Sequence, residues 1–250
     1  MAASTVVFIS GVSQGIGRGL AEAYLSRPNH TVIGSVRDRI SPSATELKSA
    51  LPATGSKLLL VEIESTSVTD PQRALTEIQA AGIEHVDIVI ANAGGAPVVS
   101  SLEVVETKEL VTTFQTNAVA PLLLFQTLRE LLKRSENPKW ASISSEAGSV
   151  GGVGPKGSWF LPAYGASKAA LNWITQAICY SQDWVVALAL HPGHVQTGPG
   201  NWAANQLGME KAPTTIEQSV SSIIKVIDEA TRESTSGKFI DVIQGTAISW

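Results

Sequence analysis

Ser10-Gly11-Val12-Ser13-Gln14-Gly15-Ile16-Gly17 stands between an apolar run, Val6 to Ile9, and a stretch from Ile16 to Leu25 whose apolar residues recur at helical spacing until Pro28. This reads as strand, tight turn and helix in close succession. Glycines let such a turn lie against a ligand's backbone-like groups, and the first N–H groups of the helix complement negative charge, so the turn is suited to a dinucleotide pyrophosphate. Gly11, Ser13, Gln14, Gly15, Ile16 and Gly17 are therefore candidate cofactor-binding residues. The same residues also fit the Gly-x-Ser-x-Gly elbow that presents a hydrolase nucleophile. That elbow follows several earlier strands, one of which supplies an oxyanion loop, whereas only a few residues precede Ser13.

Outward from the turn, strand and helix patterns alternate. Strands are predicted over Thr31 to Val36, Lys57 to Ile63, Val86 to Ala91, Trp140 to Ser144, Val185 to Leu190 and Lys238 to Ile243. Helices are predicted over Ala44 to Leu51, Pro71 to Ala81, two segments within Glu103 to Lys133, Ala163 to Ser181 and Thr215 to Ala230. Several strands are apolar on both faces, as a parallel sheet covered by helices on each side demands. The pattern predicts an α/β, Rossmann-type, doubly wound parallel sheet of about seven strands in a single domain. No repeat or linker divides residues 1–250. Residues 148–162, with five glycines and two prolines, read as a long loop of the kind that serves a site. Residues 198–212, carrying Trp202, Leu207 and Met209, read either as a substrate lid or as a mobile surface loop.

The chain has 250 residues, of which 44% are hydrophobic and 16% charged, and a formal net charge of −4 without long runs of either sign. Neither nucleic acid nor an anionic membrane is an expected partner. A single cysteine, Cys179, fits a reducing compartment, and no stretch approaches the roughly 18 apolar residues needed to span a bilayer, so a cytoplasmic protein is expected. His30, His85, His191 and His194 lack partners at metal-ligand spacing, so no metal site is expected. His194, inside the motif after the sixth strand, reads either as a substrate contact or, preferably, as a maker of a loop hydrogen bond.

Two further features carry chemistry. After the second strand, where an acidic residue would meet a ribose 2′-hydroxyl, the chain reads Val36-Arg37-Asp38-Arg39, a cationic pair that favours the 2′-phosphate of NADP or consists of solvated surface charges. Tyr164-Gly165-Ala166-Ser167-Lys168 sets a phenol and an ammonium four apart on one helical face, where the cation is expected to ease ionisation of the phenol.

In this order, with Asn92-Ala93-Gly94 after the fourth strand, Asn117 in the next long helix, Ser144-Ser145 ending the fifth strand and Pro192-Gly193-His194-Val195-Gln196-Thr197 after the sixth, the chain resembles the short-chain dehydrogenase/reductase family along its whole length. The resemblance implies NADPH-dependent reduction of a small-molecule ketone. Ser145 would polarise the carbonyl, Tyr164 would donate the proton, Lys168 would hold the nicotinamide ribose, and Asn117 would seat a water. It implies cofactor roles for Asn92, Ala93, Gly94, Pro192, Gly193, Val195 and Thr197 as well as Tyr164 and Lys168, with Asn92 steadying the sheet. Glu64 stands where the family often has an aspartate facing the adenine, and Gln14 where NADP-preferring relatives often carry a base, which leaves Arg37 as the cofactor determinant.

Gly17-Arg18-Gly19-Leu20, Leu123-Leu124-Phe125-Gln126 and Ala212-Pro213-Thr214-Thr215 are similar to the fungal ketoreductases typified by norsolorinic acid ketoreductase, which implies an aromatic or polyketide-derived ketone of secondary metabolism. The spacing from Ser145 to Tyr164 exceeds the family's usual one, and Trp159, Phe160 and Leu161 within it either cap an apolar substrate or fill a gap in the core. Two other functions share these residues: dehydration or cyclisation without net redox, and an NADP-binding sensor. The family's usual oligomer interface falls on Pro121 to Arg134 and Ala163 to Ser181, which implies a homodimer or homotetramer.

Overall fold

The computed structural model describes residues 4–95, 101–155 and 157–250. Strand and helix alternate as β1 (Thr5–Ile9), α1 (Gly15–Leu25), β2 (His30–Val36), α2 (Pro42–Lys48), β3 (Lys57–Glu62), α3 (Asp70–Ala80), β4 (Ile88–Ala91), α4 (Thr107–Phe114), α5 (Ala120–Leu132), β5 (Lys139–Ile143), α6 (Pro162–Ser181), β6 (Val186–His191), α7 (Gly198–Gln206), α8 (Ile216–Glu229), β7 (Phe239–Asp241) and β8 (Thr246–Ala247). One sheet takes the order β3-β2-β1-β4-β5-β6-β7-β8. Every ladder is parallel except β7 with β8, which is antiparallel.

The alternation of side chains along β1 builds the two faces of the sheet. Val7 and Ile9 enter a core with Leu20 and Tyr24 of α1 and Ile223 and Ile227 of α8. Val6 and Phe8 enter the opposite core with Ile78 of α3, Leu128 and Leu131 of α5, and Trp140 of β5. Burying each such aliphatic side chain contributes about 1.5–3 kcal/mol, which offsets the entropy of ordering the helices on both faces. Trp140 keeps its polar atom satisfied by donating Nε1–H to Ser142 Oγ at 2.9 Å. Buried Lys139 donates to the carbonyls of Ile227 and Asp228, capping the end of α8 at 2.7 and 2.9 Å.

The strand order reverses between β1 and β4, so helices leave these neighbours toward opposite faces and a crevice opens beyond their carboxyl ends. Both the glycine turn and the Asn92 segment lie at that crevice. The long helical stretch of the sequence is interrupted by a single wide turn, Gln115–Val119, where Ala120 N–H reaches the Gln115 carbonyl five residues back. Pro121, which has no N–H to give, follows directly on this turn within a helical stretch that is otherwise continuous from Thr107 to Leu132.

Two expectations change. Residues 198–206 form helix α7 instead of an irregular loop, because Thr197 accepts from Gly200 N–H as its N-cap and a proline occupies its first turn. The sheet also gains β8, which folds back on β7 and brings the following residues against the turn after β5. There Ser149 Oγ donates to the Ser249 carbonyl at 2.6 Å, Gly151 N–H donates to the Trp250 carbonyl at 3.1 Å, and the Trp250 ring stacks on Phe239 with centroids 5.5 Å apart. Residues 148–162 contain two short 3-10 turns, Glu146–Gly148 at their root and Ser158–Phe160 before α6, with residue 156 outside the described residues. Among the described residues no helix is long and apolar enough to cross a membrane.

Candidate active site

The glycine turn closes against the sheet. Gly11 and Val12 donate their N–H groups to the Ser35 carbonyl at 3.1 and 3.0 Å, which draws the turn over the end of β2. Gly11 has φ +74°, a conformation that side chains rarely adopt. A Cβ on Gly17 would fall 2.1 Å from the Gly11 carbonyl oxygen and 2.4 Å from Asn92 Nδ2, so only glycine lets α1 begin this close to the turn. No side chain caps the N-terminus of α1, and its first turn holds no acidic residue, leaving its N–H groups for an anion. Ser13 and Ile16 are half-buried at the turn, and Gln14 is exposed.

Asn92 secures this arrangement from below. Its Nδ2 donates to the carbonyls of Ser10 and Gly11 at 2.9 and 3.2 Å, and its N–H and that of Ala93 both donate to Ser10 Oγ at 2.9 Å. These bonds consume the asparagine's donors on the protein itself. A cleft beside them is lined by Ser35, Ile63, Glu64, Ala93 and Pro121, which places exposed Glu64 at its rim.

The two arginines after β2 differ. Arg39 is held by Glu77 at 2.8 Å and Glu62 at 3.5 Å. Arg37 is exposed and makes no ion pair with another described residue. The expected cationic pair thus reduces to one available guanidinium, since Arg39 serves the protein's own carboxylates.

Ser145, Tyr164 and Lys168 converge at the carboxyl edge. The Ser145 hydroxyl lies within hydrogen-bonding reach of the Tyr164 phenol, and Lys168 Nζ sits 5.7 Å from the centre of its ring. Lys168 Nζ donates to the Ile143 carbonyl at 2.8 Å, and burial pulls its pKa down to about 8. Burial pushes the Tyr164 phenol above its ordinary value, partly countered by the Ser145 hydrogen bond. Where the spacing leads one to expect an ammonium easing ionisation of the phenol, burial is the largest influence on it and the Ser145 hydrogen bond is the counterweight. A phenol kept protonated is suited to giving a proton away.

Asn117 lies in the wide turn and is fully buried. Its Oδ1 accepts from Gly95 N–H at 2.9 Å, and its Nδ2 donates to the Gly95 carbonyl at 2.8 Å and Ser167 Oγ at 3.0 Å. A Cβ on Gly94 would lie 3.0 Å from Asn117 Oδ1 and 3.5 Å from Lys168 Nζ, so these two side chains meet across the glycine.

The loop after β6 folds back over the glycine turn. A Cβ on Gly15 would lie 3.2 Å from the Thr197 methyl, which places Thr197 against the glycine turn. Pro192 accepts from Ser219 Oγ at 2.8 Å, Gly193 has φ +86°, and Val195 bridges to Thr214. His194 Nε2 meets the Gly200 carbonyl at 2.8 Å, the loop hydrogen bond expected of it. Trp159 is 66% exposed and Trp202 is 42% exposed, so neither ring fills the core.

Sequence reasoning missed the buried contacts behind these groups. Ser144 Oγ donates to Asn172 Oδ1 at 2.6 Å, Asn172 Nδ2 donates to the Gly148 carbonyl at 3.1 Å, and Glu146 N–H donates to His191 Nδ1 at 3.2 Å. The i+4 spacing of Asn172 from Lys168 was the signal available for the first two.

Comparison with known proteins agrees with this geometry. A family model described as short chain dehydrogenase matches residues 5–206. The chain is 56% identical to the short-chain dehydrogenase srdF of Neurospora crassa, covering 99% of this chain and 98% of that protein. It is 36% identical to norsolorinic acid ketoreductase of Aspergillus parasiticus, covering 98% of this chain and 91% of that protein. Among solved structures, an NADPH-bound carbonyl reductase from chicken fatty liver superposes with a TM-score of 0.86 at 27% identity, covering 100% of this chain and 96% of that one. With the model spanning both the glycine turn and the Tyr164 helix, and relatives aligned from end to end, the chain belongs to the short-chain dehydrogenase/reductase family.

Proposed function

We propose that this protein is an NADPH-dependent ketoreductase acting on an aromatic or polyketide-derived ketone in secondary metabolism. The observation that carries the reading is the convergence of the Ser145 hydroxyl, Tyr164 phenol and Lys168 ammonium at the edge of a glycine turn whose helix end is uncapped. The residues present fit the dinucleotide: Gly11 to Gly17 would receive its pyrophosphate, Arg37 its 2′-phosphate, and Lys168 its nicotinamide ribose. Ala93 and Gly94 would border it, while Pro192, Gly193, Val195 and Thr197 would close over the carboxamide. When bound, a reduced nicotinamide supplies the hydride. Ser145 orients the substrate carbonyl, and Tyr164, kept protonated by burial, gives its proton to the developing alkoxide. Lys168 and Asn117 meet at Gly94, a position from which a water held by Asn117 can replenish that proton.

The relatives support the substrate class, since norsolorinic acid ketoreductases are among the matched proteins, and the NADPH-bound carbonyl reductase supports the cofactor. Residues 148–162 and 198–212 would frame the pocket as substrate segments of a single catalytic domain. Exposed Trp159 and Trp202 on them offer ring faces to a planar substrate. Following NADPH absorbance with candidate aryl ketones tests the reading: product formation without consumption would reject it in favour of dehydration or cyclisation, and binding without product in favour of a sensor.

Cofactor choice rests on Arg37. Replacing it with alanine should weaken NADPH binding about tenfold or more, since a charge-assisted hydrogen bond contributes about 1.5–3 kcal/mol, while leaving NADH binding unchanged. Fluorescence titration checks both, and wild-type NADH binding as tight as NADPH would sink the assignment.

For assembly we propose a homodimer or homotetramer. Trp173 and Tyr180 are exposed on α6, one of the two helices of the expected interface, and Leu110, Val111 and Phe114 are exposed on α4, which packs against it, while no large apolar side chain of α5 is exposed. Light scattering should return a mass of at least two chains; a monomer at micromolar concentration would exclude it.

A further inference from the structure

Ser145 lies in the turn after β5, whereas Tyr164 and Lys168 ride on α6, so their alignment depends on what fixes that turn to that helix. Local bonds shape the turn: Ser145 Oγ accepts from Ala147 N–H at 3.2 Å, and Glu146 N–H donates to His191 at the end of β6. Neither reaches α6. Lys168 does so through the Ile143 carbonyl, but that point precedes the turn.

Asn172 makes the connection across the turn itself. It lies one helical turn beyond Lys168 and is 3% exposed. Its Oδ1 accepts from Ser144 Oγ at 2.6 Å and its Nδ2 donates to the Gly148 carbonyl at 3.1 Å, so one amide grips residues on both sides of Ser145. Gly148 is pressed onto the same helix, where a Cβ would lie 2.7 Å from the Lys168 carbonyl carbon. An amide is suited to this task because it accepts at one atom and donates at the other without adding charge to a buried site.

We propose that Asn172 is a positioning residue, whose two buried hydrogen bonds hold the Ser145 hydroxyl against the Tyr164 phenol. The inference rests on the roles given to Ser145 and Tyr164 above. Since the Ser145 hydrogen bond draws the phenol's pKa down, while Lys168 Nζ faces the ring at 5.7 Å from α6 itself and stays when the turn loosens, freeing the turn lets that pKa climb.

The test is a difference titration of phenolate absorbance, each protein against the same protein carrying Tyr164→Phe, which isolates this phenol among the three tyrosines. Asn172→Ala should move the midpoint to higher pH and lower kcat about tenfold or more, with NADPH affinity within about twofold of wild type. An unmoved midpoint overturns the proposal, even where kcat falls in proportion to the folded fraction seen by circular dichroism. Should Asn172→Ala not fold, Ser144→Ala, which keeps the bond to Gly148, carries the test: a smaller shift in the same direction supports the role, and none overturns it. Failure of the ketoreductase reading is seen separately, as wild-type protein that consumes no NADPH with any ketone, because the absorbance readout needs no turnover.

Discussion

Tyr164→Phe should lose roughly two to four orders of magnitude in turnover while binding NADPH nearly as wild type does, because the substitution deletes one hydroxyl and keeps the ring. The site gives a reason for a loss at the upper end. Burial holds this phenol protonated with the Ser145 hydroxyl bonded against it, whereas the Lys168 ammonium stands 5.7 Å from the ring centre and is committed to the Ile143 carbonyl, so it is poorly placed to take over as donor. The pH profile should separate this role from a packing role. Reduction needs the protonated phenol, so wild-type kcat should fall as pH rises through its raised pKa, and the variant's residual rate should lack that limb. Steady-state kinetics beside a fluorescence titration of NADPH would decide the matter; near-wild-type turnover in the variant would remove Tyr164 from the chemistry.

Lys168→Ala should damage both steps. Its Nζ is assigned the ribose, and a charged group's hydrogen bonds contribute about 1.5–3 kcal/mol, which corresponds to roughly a tenfold to hundredfold weaker Kd. Turnover should fall as well, since the water proposed at Asn117 would lose the ammonium that faces it across Gly94. The pKa of about 8 adds a signature. It is depressed by burial, so the ammonium is present below about pH 8 and lost above it; wild-type affinity for NADPH should weaken as pH climbs through that value, and the alanine variant should show no such step. Unchanged affinity in the variant would end the ribose assignment.

Much of this architecture is legible in the sequence because it rests on local signals. The glycine turn, the doubly apolar strands and the helix carrying Tyr164 and Lys168 each declare themselves within a short window. Helix α7 escaped because glycines at 198 and 200 lower helix propensity, even though Thr197 and Pro199 mark a helix start. Strand β8 escaped because two residues carry no periodicity. The site's remaining surprises are matters of distance along the chain. Arg39 finds Glu62 and Glu77, 23 and 38 residues away, and Ser144 finds Asn172, 28 residues away, pairings that only the folded sheet creates. The setting of Tyr164 is less legible for a related reason: spacing reveals which charge is near, but only the packed structure reveals how much water has gone.

The wide turn at Gln115–Val119 has a consequence for how this chain can change over time. It spends one residue more than a regular helix would, and that surplus swings Asn117 inward toward Gly95 and Ser167. Deleting a residue there would make the helix regular but rotate one half against the other by about 100°, turning either Asn117 away from Gly95 or the buried leucines of α5 away from the core. The surplus residue is therefore locked in from both sides, so this stretch should tolerate exchange of side chains far better than any change in its length.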